Sequence, residues 1–240
     1  MPQNTPTYDP AAEQQALAAV GAAVRARLDA DPSAMRIPTD SIEAYAVSDF
    51  LTPAECERFM ALVDENARPS ETFDNQEEDL YRTSYSGDVN PYEPFVAMIE
   101  RRIHDLLGMD PAFGETSQGQ RYEVGQEYQA HCDFFGPRTA FYQREVPAGG
   151  QRSWTAMIYL NDVDDGGATD FMHIGLTFTP RQGMLLAWNN MKPDGTPNIN
   201  TLHAAKPVLA GVKYVITKWY RSRKWTPQCL LAEQGLQVGG

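Results

Sequence analysis

Two of the four histidines in this 240-residue chain stand where metal chemistry would use them. His131 and Asp133 are spaced i and i+2, and in an extended strand that spacing projects an imidazole and a carboxylate from one face. Such a pair is common by itself. It gains weight from a distal cluster, Thr201-Leu202-His203-Ala204-Ala205-Lys206-Pro207. His131, Asp133 and His203 make a 2-His-1-carboxylate set, which occupies one face of a divalent transition metal and leaves positions open for reactants. A further ten-residue step from His203, with Gly211 in the turn, leads to Lys213. That cation can reach the far end of the same cavity, where a dicarboxylate cosubstrate would need one, because an unpartnered buried carboxylate is strongly penalised.

Neighbouring candidates read differently. His104, inside Ile103-His104-Asp105, and His173, inside Met172-His173-Ile174, have no partner at ligand spacing and stay outside the metal set. Cys132 should point away from its neighbours in a strand, as a small buried hydrophobe. Asp162-Val163-Asp164-Asp165 lacks the spacing and terminal Glu of a calcium loop and reads as a solvated turn. Lys218 reads as an ordinary solvent-facing lysine.

The elements that must position these groups change character along the chain. From Ser117 onward, short β-rich runs alternate with Gly, Pro, Asn and Asp: 120–124, 127–132, 154–160, 176–179, 184–188 and 212–220. That pattern predicts an antiparallel sandwich or barrel. Upstream, Leu17, Val20, Val24 and Leu28 mark an amphipathic helix within 11–30. Thr52-Pro53-Ala54-Glu55 is a capping-box start, Asn90-Pro91-Tyr92-Glu93 repeats the device, and Gly108 supplies a stop. Residues 64–90 read as a long surface segment with one short strand. The expected fold is α+β. A helical region over 1–115 covers one face of a barrel over 116–228, with a tail at 229–240, all in one domain.

Composition narrows the partners. A chain 42% hydrophobic and 22% charged is an ordinary globular protein. With 20 Lys and Arg against 32 Asp and Glu, the formal net charge is -12, so no broad basic surface exists for nucleic acid. Cys56, Cys132 and Cys229 share no CxxC spacing, which argues against a disulfide framework and for a reducing compartment. The N-terminus carries no secretory pattern and no window is long and apolar enough to span a membrane, so the expectation is a cytoplasmic protein without membrane partners.

The stretch from Arg121 to Lys224 resembles the catalytic domain of prolyl 4-hydroxylases, in the Fe(II)- and 2-oxoglutarate-dependent dioxygenase superfamily. The matching pieces run in order from Tyr122 through Tyr128 to His131 and Asp133. They continue with Gly150-Gln151-Arg152, Tyr159-Leu160-Asn161, Gly166-Gly167-Ala168-Thr169, and His203 followed by Pro207, Gly211, Lys213 and Trp219. Arg82-Thr83-Ser84 and Ile99-Glu100-Arg101-Arg102-Ile103 resemble the upstream pattern. The resemblance implies a double-stranded β-helix, or jelly-roll barrel. It also implies that His131, Asp133 and His203 ligate Fe(II), that Lys213 pairs with the distal carboxylate of 2-oxoglutarate, and that Tyr122 and Thr169 help hold this cosubstrate. Tyr128, Arg152, Trp219 and Arg221 match positions near the substrate channel.

The implied reaction consumes 2-oxoglutarate and O2, releases succinate and CO2, hydroxylates an unactivated C–H, and uses ascorbate as reductant. Three readings stay open. The first is a prolyl 4-hydroxylase acting on a proline-containing peptide or protein. The others are a hydroxylase of a small molecule, such as a free amino acid or natural-product intermediate, and a non-enzymatic metal-binding jelly-roll sensor. Ala168 stands where the family commonly has Glu, and Arg221 where some peptide-hydroxylating members carry His. The segment 134–148 reads either as a lid or as a packed surface loop. A homodimer is compatible with the sequence, which does not fix the oligomeric state.

Overall fold

In the computed structural model, residues 8–70 and 82–225 are described. The expected tail at 229–240 and Cys229 lie outside them. The upstream half contains α1 (Pro10–Ala30), β1 (Met35–Arg36), β2 (Ala44–Val47), α2 (Pro53–Asn66), β3 (Arg68–Pro69), β4 (Tyr85–Asp88) and α3 (Pro94–Leu107). It is followed by β5 (Gln118–Tyr122), β6 (Tyr128–His131), α4 (Ala140–Gly149), β7 (Arg152–Tyr159) and β8 (Asp165–Gly166). The remaining strands are β9 (Thr169–Phe171), β10 (Leu176–Phe178), β11 (Leu185–Asn189), β12 (His203–Ala205), β13 (Val208–Ala210) and β14 (Lys213–Arg221).

Local chemistry explains the helix boundaries. Asp9 caps α1 by accepting the amides of Ala11 and Ala12, with Pro10 in the first turn. The expected capping box opens α2: the Thr52 hydroxyl accepts the Glu55 amide, and the Glu55 carboxylate accepts the Thr52 amide at 2.9 Å. The third helix begins later than its sequence signal suggested. Glu93, not Asn90, is the N-cap, accepting the Val96 amide at 2.8 Å, and Pro94 rather than Pro91 occupies the first turn. Asn90 instead closes the preceding turn onto the Tyr92 amide. Starting there aims Phe95, Val96, Ile99 and Ile103 at the core. Gly108 ends α3 in the left-handed conformation, φ 66°.

The strands form a large antiparallel sheet of order β1-β2-β11-β7-β14-β5-β4-β3 and a smaller one of order β10-β9-β12-β6, with a β13-β8 pair. The period-2 alternation along the central strands separates two cores. Trp154, Ala156 and Ile158 of β7, Leu185 and Ala187 of β11, and Ile216 and Tyr220 of β14 pack outward against α1, α2 and α3. Met157 and Tyr159, Leu186 and Trp188, and Val215 point inward and meet Phe171, Ala205 and Val208. Two facing sheets with helices on one outer face are the expected jelly-roll barrel.

Two expectations change. The upstream region contributes more strands than the one expected within 64–90, which is β4: β1 and β2 extend the large sheet beyond β11, and β3 and β4 extend it beyond β5. The barrel therefore crosses the 115/116 boundary. Lys218, expected at the surface, is buried and pairs with Glu100 of α3 at 2.8 Å. Its even position on β14 directs it to the helix side, whereas odd-numbered Lys213 enters the barrel.

Candidate active site

The triad converges at one mouth of the barrel. His203 and His131 are cross-strand partners on β12 and β6, with ring centroids 4.3 Å apart. β6 ends at His131, so Asp133 is delivered by the bend beyond the strand rather than by strand alternation. The alternation rule lapses there for Cys132 too, which is half-buried and lines the cavity. One ligating atom from each of His131, Asp133 and His203 lies within 4.8 Å of the others.

The donor set is oriented for a metal. His131 Nδ1 donates to the Gln129 carbonyl at 2.8 Å, and His203 Nδ1 donates to the Thr201 carbonyl at 2.9 Å. Since carbonyls only accept, both protons sit on Nδ1 and both Nε2 lone pairs face the triad. Burial, and then the neighbouring His203, push the His131 imidazole down to about 3, so it is neutral at physiological pH. Burial opposes charge on Asp133, but its polar surroundings, among them the Arg152 guanidinium and the Thr155 hydroxyl, outweigh it and hold the carboxyl below its usual range. Thr155 Oγ1 donates to Asp133 Oδ2 at 2.7 Å. Oδ1, 3.9 Å from His131 Nε2, completes a set suited to a divalent transition metal.

A cavity of about 750 Å³ extends from the triad and is lined by Tyr122, Tyr128, Arg152, Thr169, Lys213 and Trp219, among others. Lys213 is 1% exposed and has no carboxylate partner among the described residues. Its ammonium instead faces the rings of Tyr122, centroid 5.2 Å away, and Tyr159, 5.6 Å away. Burial pushes it down to about 7. An orphaned buried cation at one end and three metal donors at the other fit a dicarboxylate that also chelates the metal. The Thr169 hydroxyl accepts from Tyr159 at 2.7 Å, and Tyr122 donates to Gln120 at 2.7 Å.

At the mouth, the Tyr128 ring stacks on His131, with centroids 3.6 Å apart and planes 17° from parallel. The Arg82 guanidinium lies 4.8 Å from the Tyr128 centroid. Arg152 sits over the Trp219 ring at 4.2 Å and is held by a bidentate pair with Glu115, both contacts 2.7 Å. The Trp219 indole N–H is buried without an acceptor among the described residues.

Arg221, expected beside the substrate channel, lies outside the cavity lining. It is buried, donating to Glu115, to the Gly150 carbonyl at 2.9 Å and to Glu145 at 3.1 Å. It thereby ties β14 to the 134–148 segment, which carries α4 and lends Phe134, Phe135, Gly136 and Thr139 to the cavity. Gly150 ends α4 at φ 81°, and a Cβ there would fall 1.9 Å from Ser222 Oγ. His104 is a core residue bonded to Tyr220 at 2.7 Å.

Sequence reasoning missed Thr155, Trp188, Asn190, Tyr159 and Glu115. The alternation of β7 was a usable signal for Thr155 and Tyr159, which flank inward-facing Met157. No local signal marks Glu115, whose partners stand 37 and 106 residues away.

The family model of the 2OG-Fe(II) oxygenase superfamily matches residues 117–221. The chain is 38% identical over 156 residues to prolyl 4-hydroxylase subunit alpha-1 of Gallus gallus, covering 64% of this chain and 30% of that protein. It thus spans about a third of that relative's length. It is 32% identical over 206 residues to probable prolyl 4-hydroxylase 8 of Arabidopsis thaliana, covering 76% of this chain and 69% of that protein. Two solved structures share the fold. The 2OG complex of a viral collagen prolyl hydroxylase from Paramecium Bursaria Chlorella virus-1 has a TM-score of 0.58 at 23% identity, covering 73% of this chain and 94% of that one. A Trichoplax adhaerens prolyl hydroxylase in complex with a hypoxia inducible factor peptide has a TM-score of 0.55 at 16% identity, covering 92% of this chain and 96% of that one. With more than two thirds of the Arabidopsis relative matched at 32% identity, this chain belongs to the prolyl 4-hydroxylase family of 2OG-Fe(II) oxygenases.

Proposed function

We propose that the chain is a 2-oxoglutarate-dependent dioxygenase that hydroxylates C4 of prolyl residues in a peptide or protein. The carrying observation is one cavity that joins a complete His131, Asp133 and His203 set to a buried Lys213 that has no carboxylate partner among the described residues. When bound, Fe(II) and 2-oxoglutarate supply the oxidising chemistry, in which O2 and the cosubstrate give succinate, CO2 and one hydroxylated carbon.

The chain's own residues bind, orient and shield. His131, Asp133 and His203 hold the metal. Lys213 neutralises the distal carboxylate of 2-oxoglutarate, with Thr169 and Tyr122 along its length. Met157, Trp188 and Val215 give the cavity apolar walls that exclude water. Tyr128, Arg152 and Trp219 receive the peptide, for which aromatic faces and a buried N–H donor suit an extended proline-containing segment. The peptide-bound Trichoplax enzyme, alike in fold, supports this reading. Ascorbate serves as reductant.

The test is succinate formation from 2-oxoglutarate by purified protein with Fe(II) and ascorbate, with and without proline-containing peptides, against His131→Ala. Peptide-stimulated turnover that is lost in the variant, with one oxygen added to proline, is the expected result. Turnover that peptides leave unstimulated points to a small-molecule substrate. No turnover by protein that binds metal overturns the enzymatic reading.

A further inference from the structure

Asp133 must offer the metal one oxygen while its other oxygen is occupied, and a buried chain of hydrogen bonds governs that choice. Thr155 Oγ1 donates to Asp133 Oδ2 at 2.7 Å. Thr155 Oγ1 in turn accepts from Asn190 Nδ2 at 2.9 Å, and Asn190 Oδ1 accepts from Trp188 Nε1 at 3.1 Å. Thr155 and Asn190 are completely buried and Trp188 nearly so, leaving no water to substitute for any link.

The direction of this chain is fixed at both ends. An indole N–H can only donate, so the Asn190 amide must turn its oxygen toward Trp188 and its nitrogen toward Thr155. An ionised carboxylate can only accept, so the Thr155 hydroxyl must receive from Asn190 and give to Asp133. A threonine hydroxyl alone could rotate to either role; the amide removes that freedom.

We infer that Asn190 is a positioning residue that, through Thr155, holds Asp133 as a single-oxygen metal ligand and keeps the neighbouring coordination positions free for cosubstrate. Trp188 joins the two halves of the site, because its ring also meets the His203 ring edge-on, with centroids 5.1 Å apart. One strand end therefore supports two ligands. Hydrogen-bond partners of metal ligands commonly set affinity as strongly as this.

This inference rests on reading the triad as a metal site, and metal affinity separates the two. Metal-free protein is titrated calorimetrically with Co(II), comparing wild type, Asn190→Asp, Thr155→Val, the double variant and Thr155→Ser. Asn190→Asp keeps the shape but turns the donor into an acceptor, so the Thr155 hydroxyl is drawn away from Asp133. The backbone there is held independently, by Asn190 N to the Ser153 carbonyl at 2.7 Å and by Asn198 N to the Asn190 carbonyl at 3.0 Å.

Asn190→Asp and Thr155→Val are each expected to weaken Co(II) binding about 10- to 100-fold. The double variant should be no weaker than Thr155→Val alone, and Thr155→Ser should bind like wild type. Additive losses, or unchanged affinity in Asn190→Asp, overturn the inference while leaving the metal site intact. Wild-type protein that binds no Co(II) overturns the metal reading itself. If Asn190→Asp fails to fold without metal, Asn190→Ala takes its place in the same cycle, and additivity decides there as well.

Discussion

Lys213 and Tyr122 are direct cross-strand partners on β14 and β5, and the lysine ammonium lies 5.2 Å from the centre of the tyrosine ring. Ring faces attract a cation only weakly compared with a carboxylate, so the charge at this end of the cavity awaits a counter-ion. Lys213→Met is expected to raise the KM for 2-oxoglutarate by about 10- to 150-fold, the worth of a hydrogen bond to a charged group. Steady-state kinetics at varied cosubstrate check this.

The same lysine makes ligand-free stability depend on pH. Its folded value, pushed down to about 7 by burial, lies below its ordinary 10.5. Below pH 7 both folded and unfolded chains carry the charge, and the folded one bears the whole burial cost. As pH rises from 7 to 10.5 that cost disappears. Lys213→Met should therefore stabilise the ligand-free protein most at or below pH 7, with the gain vanishing near 10.5. Thermal melts across that range that show a gain growing with pH would contradict the assignment.

How far this site could be read from sequence depends on the range of each interaction. The convergence of His131, Asp133 and His203 was legible because two of them are neighbours in sequence and the third begins a recognisable run. Lys213 was legible from its distance to His203, yet the contrast with Lys218 was not. Lys218 occupies the same strand, and its burial follows from the packing of its even face, where Glu100 of α3 pairs with it. Thr155 and Asn190 are unremarkable polar residues in sequence. Their roles arise from a chain of donors assembled across β7 and the end of β11. Upstream of residue 115 only the short strand within 64–90 was legible, as β4; β1, β2 and β3 escaped because strands of two to four residues give too little alternation to detect.

Glu115 links two guanidiniums, taking Arg152 in a bidentate pair and Arg221 on the same carboxylate. Burial opposes its charge, but Arg152 and then Arg221 outweigh it and hold the carboxyl below its usual range. Removing that charge takes away the bidentate partner of buried Arg152 and leaves buried Arg221 with Glu145 as its carboxylate, so Glu115→Gln should cost on the order of 3–5 kcal/mol in denaturant unfolding. Because the folded value is depressed, the wild-type contribution is present above the ordinary carboxylate range and is lost as pH falls through the folded value. The difference between wild type and Glu115→Gln should narrow in acid.

Trp219 offers a test confined to the peptide. Its indole N–H is buried without an acceptor among the described residues, while its ring carries Arg152. Trp219→Phe keeps the ring and deletes the donor. Losing one hydrogen bond to a substrate carbonyl should raise the peptide KM by about 2- to 10-fold. The KM for 2-oxoglutarate, set at the Lys213 end, should not move; equal changes in both would place Trp219 in general packing instead.

The region matched by the superfamily, 117–221, is expected not to fold by itself. Cutting before β5 removes β4, which pairs with β5 from Tyr85 to Asp88, and removes β2, which pairs with β11 from Leu185 to Trp188. Both flanks of the central sheet would then present unpaired backbone. The outer face of β7 and β14 would lose Val24 and Leu28 of α1, Phe59 and Val63 of α2, and Ile99 and Ile103 of α3. Glu13 would no longer accept the Gln151 amide at 2.8 Å, nor pair with Arg223 at 3.2 Å, so the start of β7 beside Arg152 would also lose its anchor. A fragment over 116–225 should show poor amide dispersion in NMR and no cooperative thermal transition, whereas residues 8–225 should retain both. A cooperatively folded 116–225 fragment would mean that the upstream strands and helices are accessories to the barrel rather than part of it.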